Sequence, residues 1–196
     1  ANLSGANLSE AVLNQSNLQG ANFNDANLQE AEMVGCSAEG ANFNNANLQE
    51  ASLNHANLQG ASFNDANLEE VDMVGANGMG AQFGNANLQE ASLQQSNMQG
   101  ASFNDANLEE VDMTGSQAQG ANFHSANLEE VRMSQANLEG ADFRDANLRD
   151  ADLSNANLYK ADLRNVDLRD AKLRGANLKE AKIGDTSIRD ADLSGV

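Results

Sequence analysis

Large apolar residues recur on a strict step of five along residues 1–195, beginning ANLSG at 1–5 and continuing through ANFND at 21–25 to ANLRD at 146–150. Each of these thirty-nine pentads places a small residue, mostly Ala, first and Leu, Phe, Met or Ile almost always third, with polar residues around them. Five residues advance an α-helix by about 140°, which would spread the apolar side chains around the whole helix. In a strand, side chains alternate with a period of two, so an odd repeat sends successive Leu residues to opposite faces unless the chain turns in every pentad. The pattern therefore predicts an extended segment and a corner per pentad. The first and third positions point inward and the other three face water.

A longer period sets the number of corners per coil. Phe23, Phe43, Phe63, Phe83, Phe103, Phe123 and Phe143 lie twenty residues apart, each three residues after a glycine of the series Gly20 to Gly140. Four pentads thus make one coil of about 20 residues, and the chain holds nine to ten coils. Coils stacked at the strand spacing of ~4.8 Å form an all-β rod roughly 45 Å long, in which each coil touches only its neighbours. A second inward column is nearly pure leucine, with Leu28, Leu48, Leu68, Leu88, Leu108 and Leu128 at its centre. Each buried Phe or Leu contributes roughly 1.5–3 kcal/mol. In another column Ala38, Gly78 and Ala118 replace the large residue, and Met33, Met73 and Met113 in the preceding pentads are expected to fill the gaps. Thirteen of the sixteen glycines occupy the fifth position. A β-turn centred on positions four and five, with positive φ at the fifth, explains them.

The motif A(N/D)(L/F)xx, in tandem over all residues but Val196, resembles the pentapeptide-repeat proteins. The resemblance implies a right-handed quadrilateral parallel β-helix. It implies no enzymatic activity and no cofactor. Such proteins are abundant in cyanobacteria, most without an assigned biochemical role, and one subgroup elsewhere mimics DNA and binds DNA gyrase. This sequence departs from parts of the family pattern: no terminal capping helix and no C-terminal aromatic dimerisation segment is expected within these residues. Open coil ends expose unpaired strand groups, so end-to-end self-association is a further expectation.

Charge divides what periodicity leaves uniform. Residues 1–131 carry seventeen acids and no Lys or Arg, whereas residues 132–196 carry twelve acids and all eleven bases, so the formal net charge of −18 is almost wholly N-terminal. The register of five continues across 131/132, which describes one domain, 1–196, with two joined repeat blocks. Within the first block Ala61–Met73 is identical to Ala101–Met113, pointing to internal duplication. One outward column is acidic in every coil: Glu10, Glu30, Glu50, Glu70, Glu90, Glu110 and Glu130, then Asp150, Asp170 and Asp190. Arg149, Arg169 and Arg189 stand beside the last three acids and are expected to pair with them. The unpaired stretch, Glu10 to Glu130, is the candidate interaction ladder.

Candidate chemistry beyond this is sparse. Cys36 takes an inward first position and reads as a small buried thiol, and as the lone cysteine it has no intramolecular disulfide partner. His55 and His124 lie in different columns more than three coils apart, which argues for solvated surface residues rather than a shared metal or catalytic site. No catalytic set or metal site is predicted, and the absence of bases over two-thirds of the chain argues against direct nucleic-acid binding. Val34, Val74, Met79 and Tyr159 are expected as small exposed apolar spots. A mean hydropathy of −0.54 with no long apolar run argues against a membrane span and for a soluble chain; the cytoplasm is the favoured compartment. The resulting expectation is a non-catalytic scaffold or protein-interaction rod with an acidic surface. The alternative, implied by the family resemblance, is a DNA mimic directed at gyrase, and one charge per ~1.8 Å of rod against one per ~1.7 Å of duplex agrees with it.

Overall fold

A computed structural model describes residues 1–196 and contains no helix. Thirty-five parallel bridges join each second-position residue to the one twenty further on, from Asn2↔Asn22 to Lys172↔Asp192. The fold is the right-handed quadrilateral parallel β-helix, about 20 residues per coil. The four faces are named here by their third-position residues: the first carries Phe23, the second Leu28, the third Met33 and the fourth Ala38, each repeating every twenty residues. A corner follows each face.

The hydrogen-bond pattern shows why the pentad closes on itself. The third-position N–H of one coil donates to the second-position carbonyl of the next, as Leu28 does to Asn47 at 2.7 Å. The fifth-position N–H likewise reaches the next coil, Glu30 to Gln49 at 2.9 Å, and the second-position N–H reaches the previous one, Asn27 to Ala6 at 2.9 Å. A turn bond closes the corner, from Ala31 N–H to the Leu28 carbonyl at 3.0 Å. That leaves one donor per pentad, the fourth-position N–H, without a backbone partner. In most pentads the second-position side chain supplies it: Gln29 N–H donates to Asn27 Oδ1 at 3.2 Å, and Ser154 N–H to Asp152 Oδ1 at 2.9 Å. Where the second residue is Glu32 or Ser62, a fourth-position Asn of the preceding coil does the same work, Asn14 for Val34 and Asn44 for Asn64. A buried or half-buried donor left open costs about 1–3 kcal/mol, so Asn and Asp recur at this position for a stated reason.

All thirty-nine fifth positions have positive φ, twenty-six of them in residues other than glycine. The turn geometry is therefore uniform, and glycine is optional at it.

The interior is a filled column. The first-face phenylalanines are fully buried and their rings stack in parallel from Phe23 to Phe143, with centroids 4.8–5.1 Å apart and planes within 2–6°. Each ring from Phe43 to Phe123 thus meets a counterpart one coil above and one below, a contact worth about 0.5–1.5 kcal/mol beyond burial. Leu28 through Leu128 are equally enclosed. At Gly78 the space is filled differently from the sequence expectation: a Cβ there would stand 2.6 Å from Met98 Sδ. The filling side chain comes from the next coil of the same column, because stacking brings that neighbour within one strand spacing.

Candidate interaction edge

The second positions, expected to face water, are mostly half-buried and form amide ladders. On the second face each Asn Nδ2 donates to the Asn Oδ1 one coil earlier, from Asn27→Asn7 at 3.3 Å to Asn147→Asn127 at 3.0 Å. On the fourth face Asn77→Asn57 and Asn97→Asn77 make a shorter ladder, interrupted at Gln117 and resumed by Asn157→Asn137. The signal was visible as the repeated Asn; its use of both amide ends was not, since it depends on coils twenty residues apart.

The acids flank the second face. Glu10, Glu30, Glu50, Glu70, Glu90, Glu110 and Glu130 are all exposed at the corner after it, one per coil. Glu69, Glu109 and Glu129 stand beside them at the fourth position, and Glu32, Asp72 and Asp112 just beyond the corner. Asp25, Asp65 and Asp105 occupy the corner before the second face, in alternate coils. Of the acids in residues 1–131 only Glu39 lies elsewhere. Diagonally opposite is an edge of seven glycines, Gly20 to Gly140, where an added Cβ would meet nothing within 4 Å.

Backbone geometry does not distinguish these two edges. The ladder glutamates have φ of 55–59°, and the opposite glycines 60–67°. An L-residue carrying a Cβ is less favourable than glycine in this left-handed region by about 1–2 kcal/mol. Glutamate at the acidic edge is thus a matter of its side chain. With a rise of ~4.8 Å, neighbouring carboxylates repel by about 0.8 kcal/mol in water before salt screening.

Beyond residue 131 eight of the eleven bases pair with an acid. Arg132 reaches back to Asp112 at 3.4 Å. Arg144 clasps Asp142 and Arg164 clasps Asp162 at 2.7 Å, each arginine two residues after its acid. The Arg164 guanidinium holds the Asp162 carboxyl down at about 2, and Arg144 and Arg169 lower Asp142 and Asp167 likewise. Arg149 and Arg189 meet Asp150 and Asp190 at 3.2 Å, as expected. Arg169 does not take Asp170; it pairs with Asp167, two residues back at the second position of its own pentad.

The remaining chemistry-bearing residues stay apart. Cys36 is buried and free, its thiol pushed up to about 11 by burial. His55 lies over Gly75, where a Cβ would stand 2.6 Å from Nδ1. His124 Nδ1 sits 2.9 Å from the Arg144 carbonyl oxygen and 3.6 Å from Asp145. No group of three or more His, Cys, Asp or Glu side chains is placed to hold a metal ion, and no helix is long and apolar enough to cross a membrane. Val34, Val74, Met79 and Tyr159 are half-buried rather than exposed; Tyr159 is held by a hydrogen bond from its hydroxyl to Glu180 at 3.0 Å. The exposed apolar residues are instead Val12 and those of the last coil, where Ile183, Ile188 and Leu193 line a 230 Å³ recess. That recess is the surface to which the end-to-end stacking expectation refers.

The family model for the pentapeptide repeat region matches residues 6–83, 46–123, 86–163 and 121–196. The chain belongs to the pentapeptide repeat family. Among solved structures it is similar to HetL, a pentapeptide repeat protein involved in heterocyst differentiation regulation from the cyanobacterium Nostoc sp. strain PCC 7120. The identity is 27%, covering 98% of this chain and 84% of that one, with a TM-score of 0.91. It also matches QnrB1, a plasmid-mediated fluoroquinolone resistance protein, at 17% identity over 80% of this chain and 82% of that one, TM-score 0.42. A pentapeptide repeat protein of the Arabidopsis thaliana thylakoid lumen matches at 33% identity over 53% of this chain and 69% of that one, TM-score 0.42. No curated protein sequence matches the chain.

Proposed function

We propose that this pentapeptide repeat protein is a non-catalytic interaction rod whose acidic edge, Glu10 to Glu130, docks a basic protein partner. The observation that carries the reading is the contrast between two edges of the same left-handed turn conformation, one carrying a glutamate in every coil and the other bare glycine. The carboxylates repeat at the coil spacing and have no basic side chain on their own stretch of chain to neutralise them. A partner with lysines or arginines along a strand or helix would remove their mutual repulsion and gain steering toward the rod. The filled core and its exposed, self-neutralised C-terminal charges offer no enclosed polar site for catalysis.

The test compares affinity capture by the wild-type protein with capture by a variant in which the seven glutamates are changed to Gln. Gln15, Gln95 and Gln135 already occupy fifth positions at φ of 55–59°, so the substitutions suit the backbone. Basic proteins retained by the wild type and lost by the variant are expected. An unchanged set would assign the ladder to solubility alone. Charge density close to that of duplex DNA favours a second reading, a DNA mimic acting on gyrase. The acids, however, form one dense row and one row occupied in alternate coils, unlike two equal phosphate strands. A supercoiling assay in which micromolar protein leaves gyrase unaffected eliminates that reading.

A further inference from the structure

Asn77–Gly78 is the sole Asn–Gly pair in the chain. Asn–Gly is the dipeptide most prone to lose its side-chain amide, because no side chain on the second residue shields the attacking backbone nitrogen. We propose that this pair is a modification site, a deamidation point kept silent by coil stacking and released when its coil opens.

The chemistry needs only water. The Gly78 backbone nitrogen attacks Asn77 Cγ, a nitrogen–carbon bond forms, and the Cγ–Nδ2 bond breaks. Nδ2 leaves as ammonia with the proton from Gly78 N–H. Water then opens the five-membered imide at either carbonyl, leaving aspartate or isoaspartate.

Both reacting groups are occupied in the folded coil. Gly78 N–H donates to the Asn97 carbonyl at 2.7 Å. Asn77 Nδ2 donates to Asn57 Oδ1 at 3.0 Å, while Asn77 Oδ1 accepts from Asn97 Nδ2 at 3.2 Å and from Met79 N–H at 3.4 Å. Residue 77 is also bridged on both sides, to Asn57 and to Asn97. Ring closure requires the side chain to leave its ladder and the backbone to leave its bridges together. Attack therefore proceeds from the opened coil and follows that coil's population.

The product resists reclosure. A carboxylate at residue 77 cannot donate to Asn57 Oδ1 and places a charge within a half-buried amide column. Isoaspartate also inserts a methylene into the main chain. That insertion displaces the pentad register, on which every later inward residue depends. Opening of this coil thus becomes permanent once isoaspartate has formed.

The test uses the full chain at neutral pH, folded and in guanidinium chloride, with peptide mass mapping and enzymatic isoaspartate detection. In denaturant Asn77 is expected to react first among the asparagines, and in the folded protein about a hundredfold or more slowly, following the population of the open form. Gly78→Ala should remove the lead of Asn77 in denaturant, where the approach of its Cβ to Met98 Sδ in the folded coil plays no part. After dilution from denaturant, molecules modified at residue 77 should be enriched in the fraction that regains no amide-exchange protection. Comparable rates in folded and unfolded protein, earlier reaction elsewhere in denaturant, or full refolding of isoaspartate-containing chains would each overturn the proposal.

Discussion

The stretch before residue 132 and the stretch after it share every inward rule and almost no outward one. Both place Ala and a large apolar residue inside, both turn with positive φ at the fifth position, and bridges run unbroken across the boundary through Asp112↔Arg132 and Arg132↔Asp152. Outside, the first stretch carries unpaired carboxylates and amide ladders, whereas the second carries Asp–x–Arg pairs that neutralise themselves. The comparison teaches that the coil is specified from within. Outward positions vary in charge, and as acceptor for the fourth-position N–H either Asn or Asp serves, as Asn27 and Asp152 show.

The largest test strikes the shared interior. Phe83→Ala, at the centre of the ring stack, should cost about 3–5 kcal/mol in denaturant unfolding. Leu163→Ala, on the same face where the stack has ended, should cost less within a range of about 2–5 kcal/mol. Equal losses would mean that the two stretches differ outside only and that ring stacking adds nothing.

Amide ladders come next. Asn107 donates to Asn87 at 3.0 Å, accepts from Asn127 at 3.0 Å and accepts the Glu109 N–H at 3.4 Å. Asn107→Ala leaves those groups unpartnered and should destabilise by about 1–3 kcal/mol, whereas Asn107→Asp should retain the turn bond and the bond from Asn127 and lose only the donation to Asn87. If the two variants unfold alike, the donation to Asn87 rather than the turn carries the effect.

A smaller effect distinguishes the paired charges by pH. Asp162 is depressed in the folded protein, so its contribution is present above the ordinary aspartate range near 3.8 and is lost as pH falls toward about 2. The stability difference between wild type and Asp162→Asn should shrink over that window. Arg164→Gln, which removes a half-exposed partner, should cost no more than about 1 kcal/mol at neutral pH.

Salt should separate the stretches by the smallest margin and with opposite signs. Raising ionic strength screens repulsion along Glu10 to Glu130 and attraction in the Arg/Asp pairs. Amide exchange should slow in the first stretch and quicken in the second, by a few tenths of a kcal/mol. A change of one sign throughout would break the contrast.

Much of this was legible because a repeat reports the same decision many times. The spacing of Phe23 to Phe143 disclosed the coil length, and the fifth-position glycines disclosed the corner. The Glu10 to Glu130 column was likewise visible as a column. Three features were not. Asn at the second position reads as solvated polar surface until the coils stack and bring Asn107 against Asn87. Gly78 is filled by Met98 through a vertical contact, where the sequence draws attention to the nearer Met73. Arg169 chooses Asp167 over the adjacent Asp170 because its own pentad carries an acid at the second position, whereas Arg149 and Arg189 have Asn147 and Ser187 there and take the acid that follows them.

The sequence alone determined the period, the inward residues and the charge carried by each stretch, since these follow from composition at fixed spacing. Tertiary structure alone decided which groups twenty residues apart satisfy one another, and that the acids gather around one face opposite a bare glycine edge. The physical reason is that hydrogen bonding and charge act over a few ångströms of space. In this fold those few ångströms lie one coil, and therefore twenty residues, away.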